Sequence, residues 1–200
     1  MTLWKPARRP VSGYCNDGAM YFDTKEIHLN DGRTAVFRAP SPADAAEMIT
    51  YMRRTAGETN FLLRTPEEVI MTVAAEESLL QRILESETDC MIVCTVDGKL
   101  AGNCQISRHT KRKNCHRADV MIALLEEFWG LGIGTAMFEE LSAIGKGWNL
   151  MQLELEVIEG NQRAMALYEK MGFHTVSYVP NAIRLADGTL LKEFRMIKPL

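Results

Sequence analysis

The chain has no long apolar run, no excess of basic charge and no paired cysteine spacing, and each absence removes a class of function. No stretch approaches the ~18 consecutive apolar residues that a membrane-spanning helix requires, so no membrane partner is expected. Lys5, Arg8 and Arg9 near the amino terminus are not followed by an apolar segment, so this region does not read as a secretion signal. Lys and Arg number 23 against 26 Asp and Glu, a formal charge of −3, whereas a nucleic-acid-binding domain usually carries a clear basic excess. The five cysteines (Cys15, Cys90, Cys94, Cys104, Cys115) are odd in number and form no Cys-x-x-Cys and no paired Cys/His spacing. They read as reduced thiols, mostly buried as small hydrophobes, in a cytoplasmic protein without a metal site. No internal repeat, low-complexity tract or domain linker is present.

What remains is 200 residues, 46% apolar and 24% charged, enough for one domain whose core needs no disulfides. Residues 1–24 show no period. Lys25 to Leu29, the turn Asn30-Asp31-Gly32 and Arg33 to Ala39 read as a hairpin whose second arm is a core strand. The expected division is an N-terminal extension with a hairpin arm over 1–32 and one domain over 33–200. Ser41-Pro42 starts a helix, with Ala45, Met48, Ile49 and Met52 on one face. Residues 56–71 read as an irregular connection containing the capping-box pattern Thr65-Pro66-Glu67-Glu68, and a second helix follows over about 74–86.

Cys90 to Val96, Asp97-Gly98 and Lys99 to Ile106 form a strong hairpin signal. A polar loop leads to the strand Ala118–Leu124, then a glycine-rich turn and a helix beginning near Thr135. Met151 to Val157 alternates apolar and polar residues, as a strand does. A helix over about 161–171 ends at Gly172, and the strands Phe173–Val179 and Leu191–Ile197 close the chain around a loop. The order βααβββαβαββ is α+β around a mixed, mainly antiparallel sheet.

The segment richest in chemistry is Trp129-Gly130-Leu131-Gly132-Ile133-Gly134-Thr135. A strand feeding a glycine turn that opens a helix aims several N–H groups outward, where a phosphate can bind them. A nucleotide P-loop needs a Lys after its last Gly, and Thr135-Ala136 stands there instead. A dinucleotide fingerprint needs Gly-x-Gly-x-x-Gly at the start of a parallel sheet. Here the spacing is Gly-x-Gly-x-Gly behind hairpin-connected strands. A turn whose glycines serve packing alone is the remaining bland reading.

The segment resembles the acyl-CoA turn of the GNAT superfamily of N-acetyltransferases, Gln/Arg-x-x-Gly-x-Gly/Ala, with Trp129 at the usual Gln/Arg position. Downstream, Asn161, Ala164, Tyr168, Gly172 and Phe173 match the family's Asn-x-x-Ala-x-x-x-Tyr-x-x-x-Gly-Phe, and Leu153 to Asn161 is also family-like. In element order the resemblance covers about residues 33 to 198, with the specific motifs in 118–173.

The resemblance implies a sheet with helices on both faces and a V-shaped splay between the fourth and fifth core strands. It implies acetyl-CoA as cosubstrate and no metal. Main-chain groups of Ile122, Ala123 and Leu124 would meet the pantetheine. N–H groups of Trp129, Gly130, Leu131, Gly132, Ile133, Gly134 and Thr135 would hold the pyrophosphate, with Asn161 and Tyr168 also at the cofactor. A primary amine would attack the thioester directly, with Tyr168 as general acid, since a phenol of pKa about 10 stays protonated at neutral pH. Asp119 is the candidate base among Glu154, Glu156, Glu126, Glu127 and His116, and for each of these a solvated surface position is the default. The acceptor, a small molecule or a protein amine, is not readable; residues 41–88 and 180–190 would choose it. A homodimer is expected because the family often dimerises. The alternative to an enzyme is a non-catalytic acyl-CoA-binding module, and succinyl-CoA is an alternative donor. The basic run Arg108, His109, Lys111, Arg112, Lys113, His116 and Arg117 reads as a solvated loop, about 20 Å from the glycine turn at roughly 3.3 Å per strand residue.

Overall fold

Four-residue to eleven-residue strands alternate with amphipathic helices through residues 22–200, the part that this computed structural model describes. Cys15 and the rest of the amino-terminal segment lie outside the described residues. The strands are β1 (Lys25–His28), β2 (Thr34–Arg38), β3 (Asp89–Val96), β4 (Lys99–Arg108), β5 (Arg117–Leu124), β6 (Gln152–Ile158), β7 (His174–Arg184) and β8 (Leu190–Pro199). The helices are α1 (Ala45–Glu58), α2 (Val73–Leu84), α3 (Ile133–Gly147) and α4 (Gln162–Lys170). One eight-stranded sheet runs in the order β1-β2-β3-β4-β5-β6-β8-β7, and only the β5–β6 pair is parallel.

Local chemistry sets most boundaries. Ser41 and Asp44 form a capping box around a 3-10 turn at Pro42–Asp44 that leads into α1. The second capping box, Thr65 with Glu68, holds another such turn at Pro66–Glu68. Asp97 and Gly98 both have positive φ, 51° and 76°, the geometry of the two-residue hairpin that joins β3 to β4. Asn161 caps α4 by accepting the Ala164 N–H at 3.2 Å, and Gly172, at φ 90°, turns the chain out of it.

Helices lie on both faces. The Tyr51 hydroxyl of α1 lies 3.0 Å from the Asn103 side-chain amide, whereas Gly145 of α3 lies against Ile106 and Leu153. Asn103 and Ile106 have opposite parity along β4 and therefore point to opposite sides. Phe37, Ile92, Phe138, Leu141 and Leu153 are fully buried in the core between these layers.

Several expectations differ from the structure. α1 continues to Glu58, into the segment expected to be irregular, and α3 begins two residues early. β7 runs on to Arg184, through part of the expected late loop, with pairing to β8 interrupted between Val179 and Ile183. Pro180 cannot donate to a ladder, and Asn181 has φ 54°; both loosen the pairing without ending the strand.

Candidate active site

β5 and β6 pair only through Arg117–Asp119 and Gln152–Glu154. Beyond Asp119, β5 follows β4 to Leu124, while β6 follows β8 to Ile158. The two strands therefore part into a V, and the notch widens into a cleft of about 1650 Å³ walled by β5, β6, α1, α2 and α4. Ile122, Ala123, Leu124, Trp129, Asn161, Tyr168 and Asp119 all line it.

The glycine turn stands beside its mouth. Gly130 and Gly132 have φ 78° and 94°, a region that side-chain-bearing residues rarely occupy. Gly134, already within α3, is constrained for a different reason: a Cβ there would lie 2.9 Å from Leu167 Cδ2 of α4. Among the described residues, none of the six successive N–H groups from Gly130 to Thr135 donates to a protein acceptor. The Trp129 N–H differs, being engaged by Glu126 O at 3.0 Å, while its indole Nε1 donates to Leu124 O at 2.9 Å. The Ala123 carbonyl accepts the Tyr51 hydroxyl at 2.7 Å.

The sequence reading missed three supports of this turn. Asn30, in the β1–β2 turn, donates through its backbone N–H to Leu131 O at 3.2 Å and through Nδ2 to Gly130 O at 3.3 Å. Arg163 of α4 lies over the Trp129 ring, 4.8 Å from its centroid. Lys170, two turns further along α4, donates to Thr135 Oγ1 at 3.3 Å. The i, i+7 spacing of Arg163 and Lys170 on one helix face was the available signal.

Tyr168 is 8% exposed and packs edge-on against Phe138, ring centroids 5.4 Å apart. Its hydroxyl has no hydrogen-bond partner among the described residues, and burial pushes the phenol up to about 12.

Asp119 and Glu154 face each other at the apex of the V but have different surroundings. Asp119 is exposed, with His109 Nε2 3.7 Å from Oδ1, too long for a hydrogen bond. Glu154, expected on a solvated face, is instead 1% exposed. Its carboxylate bonds Arg117 Nη1 at 2.9 Å, Gln152 Nε2 at 2.8 Å and the Arg195 guanidinium. Burial works against its ionisation, but these partners hold the carboxyl below the usual range. It is a poor base because its charge is already committed. Glu58 accepts the Glu126 N–H at 2.7 Å, and Glu127 pairs with Arg54 at 2.8 Å.

The basic run is not uniformly solvated. Lys111, Arg112, Lys113 and His116 are exposed. Arg117 is drawn to Glu154, Arg108 lies 6.0 Å from the Trp148 ring centroid, and His109 Nε2 is buried. Cys90, Cys94 and Cys104 are buried free thiols pushed upward by desolvation. No helix among the described residues is long and apolar enough to cross a membrane.

Residues 58–173 match the Acetyltransferase (GNAT) family, and the chain belongs to that family. A 70-residue stretch is 41% identical to an N-alpha-acetyltransferase of Sulfurisphaera tokodaii; it covers 34% of this chain and 41% of that protein. The fold is similar to a GNAT-family acetyltransferase of Streptococcus pneumoniae, with TM-score 0.78 and 25% identity over 83% of this chain and 99% of the other. It is also similar to a phosphinothricin acetyltransferase of Sinorhizobium meliloti solved in complex with acetyl-CoA, with TM-score 0.71 and 20% identity over 83% and 88% of the two chains.

Proposed function

We propose that the protein transfers an acetyl group from acetyl-CoA to a primary amine. The observation that carries this reading is the run of six unpaired N–H groups from Gly130 to Thr135 at the start of α3, beside a strand notch walled by Tyr168. Unpaired donors at a helix start, with the helix dipole behind them, suit a pyrophosphate. Arg163 and Lys170 add positive charge where Trp129 replaces the family's Gln or Arg. The pantetheine would run along β5 past Ile122, with Asn161 across from it.

In the proposed reaction an ammonium first loses a proton to Asp119, directly or through water. The amine nitrogen then attacks the thioester carbon, forming the C–N bond, and the tetrahedral adduct breaks its C–S bond. Tyr168 gives a proton to the departing sulfur. With a phenol near 12 and an ordinary thiol near ~8.5, that transfer alone runs uphill by about 5 kcal/mol. It becomes favourable as a relay, because the nitrogen of the adduct sheds a proton that restores the phenol. The products are the N-acetyl amine and free CoA thiol.

Thiol release from acetyl-CoA with a panel of amines tests the proposal. Turnover that depends on Tyr168 supports it. Tight CoA binding without turnover on any amine would make the protein an acyl-CoA-binding module instead.

A further inference from the structure

The helical wall of the cleft contains a carboxylate with no partner among the described residues. α2 presents Glu76, Leu79, Leu80 and Ile83 at i, i+3, i+4 and i+7, the spacing of an apolar stripe, and a glutamate holds its first position. Glu76 is 2% exposed and lies in the cleft wall with Leu79 and Ile83. Among the described residues neither of its carboxylate oxygens has a hydrogen-bond donor, and Oε2 is fully buried. Leucine at this position would avoid the cost of a desolvated, unsatisfied acceptor. Burial pushes its carboxyl above the usual range, and attraction to Arg64 pulls only partly back. The Arg64 guanidinium is turned to Met52 Sδ at 3.1 Å and forms no ion pair with Glu76.

Seven more carboxylates line the same cleft: Glu58 and Glu154 are paired with arginines, Glu68 accepts the Thr65 N–H, and Asp89 accepts from Ser86, Thr88 and Gln105. The other three, Asp119, Glu156 and Glu193, are paired with no lysine or arginine among the described residues; they lie on β5, β6 and β8, at the sheet wall, whereas Glu76 lies on the helical wall. A single ammonium would be served by the sheet wall alone, which leaves Glu76 without a purpose.

We infer that the acceptor carries a second positive charge, which Glu76 binds while the reacting amine lies at the sheet wall beside Asp119. The ligand class is a dication with one primary amine to acetylate and a second ammonium or guanidinium. This rests on the amine-acceptor reading of the cleft. Its chemistry is shared by a free diamine and by an α-amino group with a basic side chain, and matched pairs of compounds distinguish them.

The test uses 1,4-diaminobutane against butylamine, and lysinamide against norleucinamide. Binding to the CoA-saturated protein is measured by calorimetry, and kcat/KM by thiol release. At least one dication is expected to be preferred tenfold or more over its partner, and Glu76→Gln is expected to reduce that preference to within twofold. Glu76→Leu should likewise abolish the preference while raising the thermal midpoint, since it completes the apolar stripe. Equal treatment of both members in both pairs by the wild-type protein overturns the inference, as does a preference that Glu76→Gln retains. So does an equal drop in thermal midpoint for Glu76→Leu and Arg64→Ala with the preference intact, which would make Arg64 the structural partner. Glu76-dependent dication binding without turnover would sink acetyl transfer and leave the dication site standing. Turnover without dication preference would do the reverse.

Discussion

The guanidinium of Arg163 lies 4.8 Å from the centroid of the Trp129 indole, so the residue that departs from the family pattern is covered by a cation from another helix. The pair keeps a positive charge beside the glycine turn without an Arg in the turn itself. Arg163→Ala is expected to weaken acetyl-CoA binding about tenfold, or about 1.4 kcal/mol, the value of one charge-assisted contact. Arg163→Lys should recover only part of that, because an ammonium lacks the planar stacking surface. Titration at low and high salt checks both, and the gap between wild type and variant should narrow as salt rises. Unchanged binding would remove α4 from the phosphate site.

Tyr168→Phe is expected to lower kcat by roughly 10²-fold or more, the scale of general acid catalysis, with little change in KM for acetyl-CoA. With the phenol near 12, Tyr168 remains protonated across the assay range. The wild-type rate should therefore show no alkaline fall below about pH 10 that vanishes in Tyr168→Phe. A pH–rate profile decides this.

Glu154 ties stability to pH. Its carboxyl is held below the usual range, so its contribution is present above the ordinary glutamate value and is lost as pH falls through the folded-state value. Glu154→Gln leaves Arg117 and Arg195 without their counter-charge. Because these side chains are 31% and 44% exposed, the expected cost is about 2 kcal/mol, below that of a fully buried pair. Denaturant melts should show the loss at neutral pH, and a smaller difference between variant and wild type below about pH 4. A difference that stays constant into acid would contradict the assignment.

Asn30 braces a turn a hundred residues away, accepting nothing from it and donating to Leu131 O and Gly130 O. Asn30→Ala should remove the side-chain bond alone, raising the Kd for acetyl-CoA about threefold with a stability change of roughly 0.5 kcal/mol. Gly102→Ala should behave differently, since a Cβ there would sit 2.2 Å from Leu124 Cδ2 and 2.6 Å from Ala123 O. Overpacking at the end of β5 is expected to cost about 1–3 kcal/mol, visible as a lower thermal midpoint. A stable Gly102→Ala with normal affinity would show that this close approach is easily relaxed.

Much of the site was legible because it consists of main chain. Alternate glycines before a helical period forecast outward N–H groups at Gly130–Thr135, and Asn161 was readable as a cap from its place ahead of Ala164. Glu154 was misjudged because strand alternation assigns it to the more polar face of β6, and nothing local says that Arg117 and Arg195 arrive on that face. His109 was hidden within a basic run that looked uniformly solvated. Glu76 was hidden because a glutamate early in a helix is ordinarily a favourable partner of the helix dipole.

By itself, the amino-acid order determined the periods of the helices and strands, the turns at Asp97-Gly98 and Gly172, and the glycine turn that opens α3. These depend on neighbours within a few residues, where backbone geometry and side-chain spacing suffice. Tertiary structure alone decided that Asn30 meets Gly130, that Arg163 covers Trp129, that Glu154 is enclosed by two arginines and that Glu76 lines the cleft with no partner among the described residues. Each of those outcomes depends on strand register and helix placement across long separations in the chain, where a shift of one residue would turn the side chain to the other face.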